Sequence, residues 1–156
     1  MLTQLNIMID GLKKKEQALL EILSITENQQ TVLQSDLPLD EARTIIFSMN
    51  EGKQEAIQIV KNCDNMLEKM LGEIGQELDA KQHMYKPQVQ VMQEHIRRIM
   101  DLDVKVRVGE EQNNKLLDER RNAAFAQQGL KPKPSPIIAD SNRIIKAYEQ
   151  GQRHKG

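Results

Sequence analysis

Residues 56–74 read AIQIVKNCDNMLEKMLGEI. Apolar side chains return at Ala56, Val60, Cys63, Leu67, Met70 and Ile74, in steps of four and three. A strand turns its side chains over every two residues, so only a helix keeps this set on one face. Followed outward, the seam takes in Ala42, Ile45, Met49 and Lys53, and Ile46, Ile57, Leu71 and Leu78 widen it. The spacing predicts one long helix over about Asp40–Lys81 with a coiled-coil-like packing face.

Two prolines bound that helix. Pro38, in QSDLPLDEA, bars helix at Leu37. Asp36 or Asp40 is a candidate cap, and Asp40 and Glu41 in the first turn suit the helix dipole. Pro87, in KQHMYKPQVQ, predicts a tight reversal or a kinked continuation, and is well tolerated in the first turn of a new helix. Before Pro38, Leu2–Leu33 places Leu5, Ile9, Leu12, Leu19, Leu23 and Leu33 on one face, interrupted by Glu16, Thr26 and Gln30. After Pro87, a third helix to Gln128 carries Val89, Met92, Ile96, Ile99, Leu102, Val106, Leu116 and Leu117. Its seam is polar at GEEQNNK, residues 109–115. Such a gap is either a register-setting polar layer or an end where the bundle opens. The expected fold is all-α: three long antiparallel helices in an elongated, coiled-coil-like bundle over residues 1–128. Its stripes leave apolar surface for a fourth helix, taken from a second copy, from the tail or from a client.

Composition agrees. Aromatic residues are 3% of the 156, Trp is absent and charged residues are 29%, which suits long helices rather than a sandwich or barrel. Net charge is −1. Residues 129–156 hold six basic and two acidic side chains, which leaves sixteen basic and twenty-one acidic for the rest. No dense Lys/Arg face interleaves with aromatics, so a nucleic-acid partner is not expected. The single cysteine, Cys63, allows no intrachain disulfide and fits a reducing cytosol. The opening MLTQLNIMIDGLKKKEQ lacks the pattern of a secretory signal, and no apolar run nears the roughly 20 residues of a membrane span.

The end of the chain differs from the rest. KPKPSP predicts a stiff, extended linker over residues 129–136. Residues 137–156 form a tail in which SNRIIKAYE offers Ser141 or Asn142 as a cap and Ile144, Ile145 and Tyr148 on one helical face. A helix of about ten residues is marginal alone and folds by docking its apolar face. The tail therefore reads as a tethered ligand, for this bundle or a partner, with a frayed terminus as the plain alternative.

Chemistry is sparse. His83 falls in the second turn, His154 in the tail, and His95 reads as a surface residue of the third helix. EHIRR, residues 94–98, lacks the Lys–Gly pair of a phosphoacceptor helix. Cys63 has no Cys or His at ligand spacing and reads as a small core residue. Glu94 and His95 are adjacent rather than three apart, as di-metal bundles need. Glycines stand singly, so no phosphate loop exists. No enzyme, cofactor or metal is expected. Met49, Met66, Met70, Met84, Met92 and Met100 read as core filler or as a deformable groove for a client helix.

The opening LNIMIDGLKKKEQALLEILSITENQQTVLQSD resembles the first helix of FlgN-type flagellar export chaperones, through Leu12, Glu16, Leu19, Leu20, Leu23, Gln29 or Gln30, Leu33 and Asp36. NMLEKMLGEI (65–74) and NNKLLDERR (113–121) are similar in kind, so the resemblance covers roughly residues 1–125. It implies a small cytoplasmic all-α protein without catalytic activity. Such a protein would hold hook-associated proteins and bring them to the export gate, with its C-terminal region contacting both. The proline linker is not part of that pattern. The expected partner-binding residues are Met92, Ile96, Ile99 and Val106 on the third helix, and Ile144, Ile145 and Tyr148 in the tail. The rival expectation is a structural coiled coil forming a permanent homo-oligomer; a homodimer is compatible with either.

Overall fold

The computed structural model describes residues 1–129. The expected linker beyond Gly129 and the tail, with Ile144, Ile145 and Tyr148, lie outside the described residues. The chain forms α1 (Leu2–Leu33), α2 (Leu39–Ala80), a one-turn 3₁₀ helix (Gln82–Met84) and α3 (Lys86–Gln128). The two prolines do what their rings dictate. Pro38 sits immediately before α2 as its N-cap, with Asp40 and Glu41 in the first turn. Pro87 occupies the first turn of α3, where its missing N–H costs no hydrogen bond. The stretch before it is a tight reversal rather than a kink.

Cross-helix hydrogen bonds fix the directions. Gln29 of α1 meets Asn50 of α2, while Lys15 meets Asp64, so α2 runs antiparallel to α1. Glu16 meets His95, Thr26 meets Glu110, and Arg120 donates to the Leu33 carbonyl, so α3 runs parallel to α1 and antiparallel to α2. The class is an all-α antiparallel three-helix bundle. α1 is its spine: it packs along both α2 and α3, while those two scarcely approach each other.

The main core joins Leu5, Met8, Leu12, Leu19 and Ile22 of α1 to Ile57, Val60 and Ile74 of α2 and to Ile99, Leu102 and Val106 of α3. A smaller cluster of Leu33, Ile46 and Leu117 closes the end near Pro38. Full burial of each such side chain stabilises the fold by about 1.5–3 kcal/mol.

The seam of α1 differs from its sequence reading. Its central buried line runs Leu5, Met8, Leu12, Lys15, Leu19, Ile22, Thr26, Gln29 and Leu33, a steady alternation of three and four, with Gly11 and Ala18 buried beside it. Ile9, Glu16, Leu23 and Gln30 flank that line and are half-buried. The reason is that α1 faces two helices, and the polar Lys15 and Gln29 hold central positions because each finds a partner. On α2, Ile46 is buried and Ile45 is exposed.

Candidate partner-binding groove

Two features divide the bundle along its length. The first is a polar layer through all three helices. Lys53 of α2 has no exposed surface, yet its ammonium pairs with Glu110 of α3 and donates to Gln29 Oε1 of α1. Thr26 Oγ1 donates to Glu110 Oε1 at 3.0 Å, Gln29 Nε2 to Asn50 Oδ1 at 2.8 Å, and Asn113 Nδ2 to the Thr26 carbonyl at 2.9 Å. GEEQNNK is thus a register-setting layer, not an open end. Burial holds Lys53 below its ordinary ammonium range, and the neighbouring Glu110 opposes that shift. Gly109 admits this packing: a Cβ there would stand 2.8 Å from Thr26 Cγ2.

The second feature is a groove on the hairpin side of that layer. Its floor is α1, at Met8, Leu12 and Lys15. One wall is α2, at Leu67 and Leu71, with Asp64 and Glu68. The other is α3, from Met92 through Ile96, Ile99, Met100 and Val104 to Arg107. The cavity measures about 720 Å³. It exists because α2 and α3 each pack on α1 but not closely on each other. Leu71, Ile96, Met100 and Val104 leave it with between 43% and 62% of their surface exposed. From Met92 to Arg107 it runs about 22 Å along α3, four turns of helix. Its inner end is charged: Lys15 Nζ lies 2.6 Å from Asp64 Oδ1, both side chains nearly sealed from water.

The third-helix residues expected to bind a partner divide. Met92, Ile96 and Ile99 line the groove together. Val106 does not: it is 2% exposed and lies in the core. One turn beyond it the Lys53–Glu110 pair links α2 to α3, so the seam facing α1 is sealed there. Leu71 and Val104 also line the groove without having been expected there, and Met100, one of the methionines read as core filler or as a deformable groove, lines it too. Met100 and Val104, four apart on the outer side of α3, carry the signal that finds them: an apolar pair that the seam itself does not use.

His95 is not a surface residue. It is 8% exposed, between Met92 and Ile99 on the side of α3 that faces α1. Its Nδ1 lies 2.7 Å from Glu16 Oε2, and Arg98 Nε donates to Glu16 Oε1 at 2.5 Å. Burial alone would raise the Glu16 carboxyl, but the hydrogen bonds to Arg98 and His95 outweigh it and hold the group below its ordinary range. Cys63 is buried; burial, with Asp64 adjacent, pushes its thiol up, away from reactive thiolate. Among the described residues no cluster of three or more His, Cys, Asp or Glu is placed to hold a metal ion, and no helix is long and apolar enough to cross a membrane.

What these features define is an all-α helix bundle with an open, largely apolar groove between α2 and α3. Compared with protein-family models, curated proteins and solved structures, the chain finds no significant match. The resemblance to FlgN-type chaperones rests on the residues quoted above.

Proposed function

We propose that this protein is a non-catalytic chaperone or adaptor that holds a helical segment of a partner protein in the groove between α2 and α3. The observation that carries the reading is the groove itself. Leu71, Ile96, Met100 and Val104 form an exposed apolar lining over a floor of Met8 and Leu12. An amphipathic helix laid there would bury those side chains and complete a four-helix arrangement. Methionines at positions 8, 92 and 100 suit such a task, because unbranched thioethers repack around more than one client surface.

With the FlgN-type pattern of α1, the favoured form is a cytoplasmic flagellar export chaperone whose clients are hook-associated proteins. The test is a titration of the full chain with a fluorescent peptide from the C-terminal helix of a hook-associated protein. Saturable binding that Met100→Asp weakens at least tenfold supports the reading; binding that the substitution leaves unchanged sinks it. The rival, a structural homo-oligomer, draws on Val108, which extends the exposed apolar line of α3 past the groove. A mass of two or more chains, with indifference to peptides and loss of the fold on dilution, would favour it.

A further inference from the structure

Resting on that reading of the groove, we infer that Lys15 reads one residue of the bound segment: the partner helix carries a glutamine or asparagine within its apolar face, and the side-chain carbonyl accepts a hydrogen bond from the Lys15 ammonium. The inference comes from comparing the two lysines that the fold buries among the described residues.

Lys53 and Lys15 are both sealed from water, at 0% and 1% exposure. Each pairs with one carboxylate brought by another helix, Glu110 for Lys53 and Asp64 for Lys15. There the likeness stops. The Lys53 ammonium has a second acceptor, the neutral Oε1 of Gln29. Among the described residues the Lys15 ammonium donates to Asp64 Oδ1 alone, at 2.6 Å. An ammonium carries three donors, so two N–H groups of Lys15 have no acceptor among these residues, in a place that water scarcely reaches. Buried donors are rarely left so, because the cost of desolvating them is not returned.

The difference lies in position. Lys53 stands in a layer closed by all three helices. Lys15 lines the groove floor between the walls of α2 and α3. The neutral acceptor that Gln29 supplies to Lys53 can therefore come to Lys15 from a bound helix.

Charge decides which acceptor. Asp64 already neutralises Lys15, and the charged lining as a whole, Lys15 and Arg107 against Asp64, Glu68 and Asp103, is net negative. A further carboxylate would add a like charge in a poorly solvated site. A carboxamide adds an acceptor without a charge, as Gln29 does in the polar layer.

The consequence is selectivity. The apolar lining holds a helix, and Lys15 sets which helix and in which register, as a single polar residue does in a coiled coil. A partner with leucine at the facing position would seal the two donors away from any acceptor, so a wholly apolar face is disfavoured.

The test adds fluorescent amphipathic peptides to the full chain. Each peptide has about 15 residues, enough to span the groove's length of about 22 Å. Each has leucines along an i, i+3, i+4, i+7 face, and one leucine at a time is replaced by Gln or by Glu. Their dissociation constants are compared for the unaltered chain and for the double variant Lys15→Met, Asp64→Leu. That variant exchanges the buried pair for apolar side chains together and strands neither charge. The proposal expects one face position at which Gln binds the unaltered chain at least tenfold tighter than Leu, and tighter than Glu. In the double variant the order should reverse there, with Leu at least tenfold tighter than Gln. The comparison on the unaltered chain stands even if the variant folds poorly, which its far-UV helicity reports. No position where Gln surpasses Leu, Glu surpassing Gln, or a Gln preference that survives in a folded double variant would each overturn the inference. So would binding by none of these peptides. If the inference fails while the hook-associated peptide still binds and Met100→Asp still weakens it, the groove reading stands alone.

Discussion

Lys53 lies at a position that the heptad spacing assigns to the core, and the structure leaves it fully buried. A buried ammonium is tolerable only with partners, and Glu110 and Gln29 supply them. Lys53→Met alone should destabilise the fold by about 3–5 kcal/mol, because Glu110 is left buried without its counter-charge. Combining it with Glu110→Leu should recover most of that loss; urea denaturation of the two variants measures both. Glu16 carries the pH dependence. Its folded carboxyl titrates below the ordinary value of 4.5, so the stability it adds is full above that value and is lost as pH falls through the lower folded pKa. Glu16→Gln should therefore flatten the fall of the urea midpoint between neutral and strongly acidic pH. At this scale the sequence was half legible. The spacing put Lys53 and Glu16 on seams, but it names no partner: Glu110 and His95 lie 57 and 79 residues away. His95 looked exposed because imidazole is polar; a carboxylate facing it from α1 is what allows its burial.

The helices themselves were read almost to the residue, because the signals are local. Pro38 stands just before α2 and Pro87 in the first turn of α3, each marking where a helix begins, and periodic apolar residues fill the rest. What spacing alone could not give is which of two adjacent lines on α1 is innermost, since that depends on how many helices α1 touches. The glycines also divide only once neighbours are known. Gly109→Ala drives a Cβ toward Thr26, whose hydroxyl is fixed by the Ile22 carbonyl and Glu110, so its methyl cannot rotate away. Overpacking of this kind costs about 1–3 kcal/mol, against roughly 1 kcal/mol gained in helix propensity, and a net loss is expected. Gly72→Ala meets nothing within 4 Å and should stabilise α2 by up to about 1 kcal/mol. Thermal melts of the two variants should move in opposite directions.

At the scale of the molecule, a spine helix with two partners that scarcely meet leaves, among the described residues, a fourth place open. The polar layer bounds that vacancy at one end, and the hairpin at Gln82–Met84 lies beyond the other. The sequence foretold spare apolar surface on α3 and three of its groove residues. It misplaced Val106, because a heptad continues past the point where the Lys53–Glu110 pair draws the helices together. Binding in the groove is the central claim, and one titration tests it most directly. The labelled C-terminal helix of a hook-associated protein is added to the full chain and to the double variant Leu71→Asp, Met100→Asp. Both positions are solvent-exposed in the absence of a partner, so the urea midpoint should hardly change. The account predicts saturable binding to the unaltered chain and at least a hundredfold loss in the variant, as two carboxylates would be buried against an apolar face. Equal binding to both, or none to either, would contradict it.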